Sequence, residues 1–251
     1  MMPSRAALPL AEQIAAAQDW WREAGVDLAF ADEPQGWLAE PATEDQAHSP
    51  ASAPRAPAEP EAPRIGDDPA TWPQDLAAFH RWWLEEPSLD RGGTHPRIAP
   101  RGPQGAALAI LVPMPEAEDG ETLLSGAQGR LVASMAQAMG FQPEAIYLAS
   151  ALPCHMTLPD WAGMARDGLG AVLLHHLALA APERLIVLGR DVSPLLGHDP
   201  TQSPPAFSEL AIQGRKLPLM TSFSPARLLE HPRLRRGLWQ RWLDWIEGDM
   251  C

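Results

Sequence analysis

Few side chains in this chain stand at spacings that do chemistry, and each has a plainer reading beside it. Glu116 and Asp119 are three apart and could serve as a pair of catalytic carboxylates; the simpler reading is a solvated acidic loop. His175 and His176 fall inside a helical pattern with no Cys, Asp or Glu at metal-ligand spacing, so they read as packing or surface residues. Ser224 is followed by Pro225 and lacks the G-x-S-x-G setting of a nucleophilic serine. The stretch LGRDVSPLLG (188–197) holds two glycines but neither phosphate-cradling fingerprint. Cys154 and Cys251 are too few for a disulfide framework and point to no oxidising compartment.

Three pieces must position whatever chemistry there is. Residues 1–40 begin with a helical pattern in which Leu10, Ile14, Ala17 and Trp21 share a face and Gly25 is the expected stop. With Trp20, Trp21 and Trp37 this piece carries more aromatic surface than it can bury alone. It is expected to dock, either on the rest of the chain or, through those tryptophans, on a partner protein. Residues 41–72 are rich in Pro, Ala and Glu and read as a disordered linker, because so little apolar surface cannot offset the ordering entropy.

Residues 73–251 alternate strand and helix. Apolar runs at 107–112, 145–150, 184–188 and 217–223 read as strands, and their continuous rather than alternating apolarity fits strands buried on both faces. Helical patterns stand at 75–84, 126–139, 158–180, 192–196 and 234–246. The expectation is a three-layer α/β/α domain around a central four-stranded, mainly parallel sheet, with functional loops at the strands' carboxyl ends.

Charge argues against general nucleic-acid tracking. The net charge is −13; residues 1–104 carry 8 Arg against 17 Asp and Glu, and residues 105–251 carry 10 Arg and one Lys against 15. A local basic patch is still available from Arg227, Arg233, Arg235, Arg236 and Arg241. Signal-peptide features and a membrane-length apolar run are both missing, so a soluble cytoplasmic protein is expected.

Taken in order, the strand ends resemble the motifs of the family 4 uracil-DNA glycosylases, the bacterial type that carries an iron–sulfur cluster. LVPMPEAED (111–119) stands where that family has G-E-[AG]-P-G, TLLSGAQG (122–129) where it has G-R-P-F-V-G, and YLASALPCH (147–155) where it has Y-I-T-N and K-C-R-P-P. PERLIVLG (182–189) matches the later strand, and FSPARLLEHP (223–232) matches F-H-P-[AS]-x-L-L-R-x-P without a gap. The segment WWREAGVDLAFADEP (20–34) is similar to a leader on many members. The resemblance covers most of residues 105–248.

What the resemblance implies is a scaffold stripped of its chemistry. Met114 stands for the glutamate of the water-positioning loop beside Pro113, and a thioether neither orients nor deprotonates water. Leu124 stands for the phenylalanine that stacks on the flipped base, and it has no π-face. Ser150 stands for the asparagine that reads the uracil edge, and Ser224, before Pro225, for the histidine that stabilises the leaving base. One such donor is worth about 2.7–4 kcal/mol of activation free energy. Of the cluster cysteines only Cys154 has a counterpart, Gly168 standing where the fourth belongs, so no iron–sulfur cluster and no other cofactor is expected.

A shorter resemblance links DWWREAGVD (19–27) and SPARLLEHPRLRRGLW (224–239) to the psi subunit of the DNA polymerase III clamp-loader assembly, which shares a glycosylase-like fold without catalytic residues. Three expectations follow. The first is a non-catalytic glycosylase-like protein acting through partners in DNA repair or replication, psi-like accessory subunits included. The second is an active glycosylase with a rebuilt site using Glu116, Asp119 or His155. The third is a nucleic-acid-binding module using the arginines from Arg227 to Arg241.

Overall fold

The computed structural model describes residues 9–23, 64–89, 92–198 and 205–248. The chain divides into two compact units, Met1–Ala56 and Pro57–Cys251. In the first, α1 (Leu10–Glu23) forms as the apolar spacing requires, with Arg22 bonded to Asp19 one turn earlier. Trp20 and Trp21 are 60% and 51% exposed and meet edge to face, their centroids 4.9 Å apart. Gly25, Trp37 and residues 41–63 of the expected linker lie outside the described residues.

The second unit begins earlier than the sequence suggests. Residues 64–72, read as linker, are packed: Ile65 and Trp72 are buried in the core. The Ile65 amide donates to the Asp167 carbonyl at 2.8 Å, and the Trp72 indole donates to the Gly66 carbonyl at 2.6 Å. Two large apolar side chains suffice to anchor a segment whose composition is otherwise that of a linker.

The unit is α/β. Its elements run α2 (Leu76–Glu85), β1 (Ala109–Val112), α3 (Ala127–Ala138), β2 (Tyr147–Ser150), α4 (Trp161–Arg166), α5 (Leu169–Ala180), β3 (Leu185–Leu188), β4 (Phe207–Ile212), β5 (Arg215–Ser222), α6 (Pro225–Glu230) and α7 (Pro232–Gly248). The sheet has five strands in the order β2-β1-β3-β5-β4, where four were expected. The first four in that order are mutually parallel, and β4 lies antiparallel on β5. The added strand is an edge strand joined to β5 by a two-residue turn, Gln213–Gly214, in which both residues have positive φ, as the right-handed twist of a hairpin favours.

Both sheet faces are covered. Leu111, Tyr147, Ala149 and Val187 pack with Phe79 and Trp83 of α2 and with Val172 and Leu173 of α5. Ile110, Val112, Leu148 and Ile186 pack with Val132 and Ala136 of α3, Leu228 of α6 and Trp242 of α7. Successive residues of one strand therefore enter opposite cores, which is why the strands read as unbroken apolar runs. The helical pattern expected over 158–180 is two helices: Gly168, in the left-handed region at φ +105°, breaks it between α4 and α5.

Under α2 the first core holds a polar thread. The Tyr147 hydroxyl sits 2.6 Å from His176 Nε2 and 2.9 Å from His80 Nε2. His176 is fully buried and stacks on Phe79 at 4.5 Å, and its Nδ1 has no hydrogen-bond partner among the described residues. Burial, with His80 and His175 nearby, holds the His176 imidazole down at about 3, and burial lowers His80 as well. His176 is thus a packing residue. Its neighbour His175 donates from Nε2 to the Pro73 carbonyl at 2.7 Å, which helps hold the start of the unit to α5.

Candidate functional site

The parallel strands aim all their carboxyl ends at one edge of the sheet, and a cleft of about 390 Å³ lies there. The loop after β1 contributes Pro113, Met114 and Pro115, the segment after β2 His155, Met156, Thr157 and Pro159, the turn after β3 Asp191, and the start of α6 Ser224 to Ala226. Gln128 of α3 and Trp161 of α4 complete the wall. In sheet order β1 has β2 on one side and β3 on the other: the chain leaves β1 for β2, then returns past β1 to β3, so the winding reverses between β1 and β3. This is the switch point at which open α/β sheets form ligand crevices. Gly189, at φ +153°, lets β3 end against the β1 loop; a Cβ there would collide with the ring of Pro113.

Met114 and Ser224, the two positions where the resemblance expects an acid and an imidazole, both line this cleft. The Met114 sulfur accepts the Met156 amide at 3.5 Å, a weak contact that fixes the thioether on the wall. Ser224 caps α6, its hydroxyl accepting the Arg227 amide at 3.4 Å, with Pro225 at the first helical position. Pro113 and Pro225 line the cleft too. Leu124 and Ser150 do not: Leu124 is buried in the second core, and Ser150 is fully buried with its hydroxyl donating to the Leu152 carbonyl at 2.7 Å.

The acidic pair is neither a solvated loop nor a pair of available catalytic carboxylates. Glu116 and Asp119 are 6% and 3% exposed. The Glu116 carboxylate accepts the amides of Gly126, Gln128 and Gly129 at 3.0–3.2 Å and so caps α3 from outside the helix. Asp119 accepts the amides of Glu116, Leu124 and Ser125 and the Ser125 hydroxyl at 2.7–2.9 Å. Those bonds hold Leu124 in the left-handed region, at φ +53°. Every carboxylate oxygen of the pair is engaged with protein.

His155, by contrast, lines the cleft. Its Nδ1 donates to the Pro115 carbonyl, which only accepts, at 3.0 Å, and Nε2 takes no part in that bond. His95 packs edge to face on it at 4.9 Å. Asp191, exposed beside the cleft, is a carboxylate that reasoning on sequence missed; its place directly after the apolar run and LGR is the signal that puts it at a strand's carboxyl end.

The arginines from 227 to 241 differ in their surroundings. Arg241 donates to the Thr221 carbonyl at 3.4 Å, Arg235 is half-buried, and Arg227 leans over Phe223. Arg233 and Arg236 are exposed on α7. Cys154 is buried, with Gly93 packed against its sulfur, and Cys251 lies outside the described residues. Among the described residues no three His, Cys, Asp or Glu side chains come together to hold a metal ion, and no helix is long and apolar enough to cross a membrane. No protein-family model matches the chain, and no curated protein is significantly similar to it.

Proposed function

We propose that this chain is a uracil-DNA glycosylase-like protein that has lost glycosylase chemistry and works through protein partners in DNA repair or replication. The observation that carries the reading is the content of the cleft at the sheet's carboxyl edge. Met114 and Ser224 stand in that cleft, where the strand-end resemblance calls for a water-orienting carboxylate and a charge-stabilising imidazole. The nearby acids, Glu116 and Asp119, spend their oxygens on backbone amides. A thioether and a neutral hydroxyl offer neither a base for water nor a cation for a departing base. The tandem tryptophans exposed on α1 are the side chains through which a partner would be held, in the manner of a psi-like accessory subunit.

A second reading, an active enzyme with a rebuilt site, draws on His155 and Asp191, which do line the cleft. One assay separates the two. The full chain is incubated with uracil-containing single-stranded DNA beside the double variant Met114→Glu/Ser224→His. The proposal expects no abasic product from the native chain. Product at catalytic rates from the native chain, abolished by His155→Ala or Asp191→Asn, would replace it with the second reading.

A further inference from the structure

At the rim of the cleft two arginines lean over one aromatic ring. Arg190 opens the 3-10 turn that leaves β3 and Arg227 stands in the first turn of α6; their guanidinium carbons lie 4.4 and 5.5 Å from the centroid of Phe223. Their sequence neighbours line the cleft, namely Asp191 next to Arg190 and Ser224 and Ala226 between Phe223 and Arg227. Both arginines are exposed, and among the described residues neither forms an ion pair or a side-chain hydrogen bond. Two guanidiniums against one ring, neither with a carboxylate partner among the described residues, are unusual in a chain of net charge −13, where carboxylates outnumber cations. The negative face of the Phe223 ring attracts each cation and helps to hold it in place.

We infer that Arg190 and Arg227 form a phosphate clamp, and that the cleft beside them takes a nucleotide. A guanidinium fork matches phosphate oxygens bidentately, and two on one ring suit a dianion better than a single carboxylate. The Asp191 carboxylate in the cleft wall suits a ligand with hydroxyl donors next to its anionic end, as a ribose has. Trp161 and the Met114 thioether supply an apolar wall, and the Gln128 amide both donates and accepts. A cleft of about 390 Å³ falls in the range of small-molecule sites. The clamp is independent of the proposed loss of glycosylase chemistry, because neither arginine stands at a position that reading uses.

Calorimetric titration of the full chain tests it with 5′-nucleoside monophosphates, the matching nucleosides, inorganic phosphate and a short single-stranded oligonucleotide. The expected result is at least one monophosphate binding tenfold or more tighter than its nucleoside. Arg190→Gln and Arg227→Gln each lower that affinity about tenfold and leave the nucleoside unchanged. Lys216→Gln, which removes the same charge at the opposite edge of the sheet, has no such effect. Tight binding of the oligonucleotide with weak binding of free nucleotides, both reduced in the two arginine variants, assigns the clamp to a strand's phosphates. Equal affinity for nucleotide and nucleoside, an equal loss in Lys216→Gln, or no binding by any probe overturns the inference. Unchanged urea midpoints in the variants show that the fold is intact.

Discussion

Lowering the pH from 7 to 5 should cost this fold about 2 kcal/mol through one side chain. His176 is wholly enclosed by Phe79, Trp83 and Tyr147, and its imidazole is held down at about 3 against 6.5 for a solvated histidine. The folded value is depressed, so between pH 6.5 and 3 the unfolded chain binds a proton that the native chain refuses. Stability is therefore complete above pH 6.5 and falls as the pH drops through that window, at about 1.4 kcal/mol per unit. At pH 5 the loss is about 2 kcal/mol, or roughly 1 M in urea midpoint for a slope near 2 kcal/mol per molar. Carboxylates titrate in the same range, so the measurement is a difference between proteins. His176→Phe keeps the stack on Phe79, leaves Tyr147 its bond to His80, and cannot take up the proton. Its midpoint starts lower by the one lost hydrogen bond, about 1 kcal/mol, and then stays flatter between pH 7 and 5. Parallel curves for the two proteins would refute the argument, because they would mean that His176 gains its proton as easily folded as unfolded.

Two further outcomes follow from the contacts described. Glu116→Ala leaves the buried amides of Gly126, Gln128 and Gly129 without their acceptor, at about 1–3 kcal/mol for each that stays dry, so the urea midpoint should fall sharply; Glu116→Gln, which keeps one acceptor oxygen, should fall less. Trp20→Ala/Trp21→Ala should abolish co-purification of a bound partner while leaving the thermal unfolding of the second unit unchanged, since both rings are exposed on α1; retained co-purification would remove the anchor role.

The parts of the fold that were legible in the sequence are those whose burial is one-dimensional. Four parallel strands sit between two helical layers, so their apolar runs are continuous and stand out. The edge strand β4 is half exposed, reads Phe-Ser-Glu-Leu-Ala-Ile, and was hidden by its polar residues. Its signal was the Gln213–Gly214 pair ahead of the next run. Ile65 and Trp72 were lost in proline-rich surroundings because packing needs only isolated anchors. The cleft itself was half legible. Strand ends name the loops that reach it, which found Pro113, Met114, Ser224 and Pro225, but an alignment carries no depth, and Leu124 and Ser150 lie beneath the surface. The work of Glu116 and Asp119 could not be read at all, since their partners are backbone amides that every residue possesses. Nor does sequence bring Arg190 and Arg227 to the one ring of Phe223, which they reach because β3 and β5 are neighbours in the sheet.

The seven hydrogen bonds accepted by Glu116 and Asp119 also bear on how fast a ligand is received. They tie the loop after β1 to the first turn of α3, so one side of the cleft, from Pro115 to Gln128, is already set before anything arrives. A guest meeting a wall that needs no rearrangement loses little affinity to ordering it, and its rate of capture is governed by encounter rather than by the folding-over of a flap.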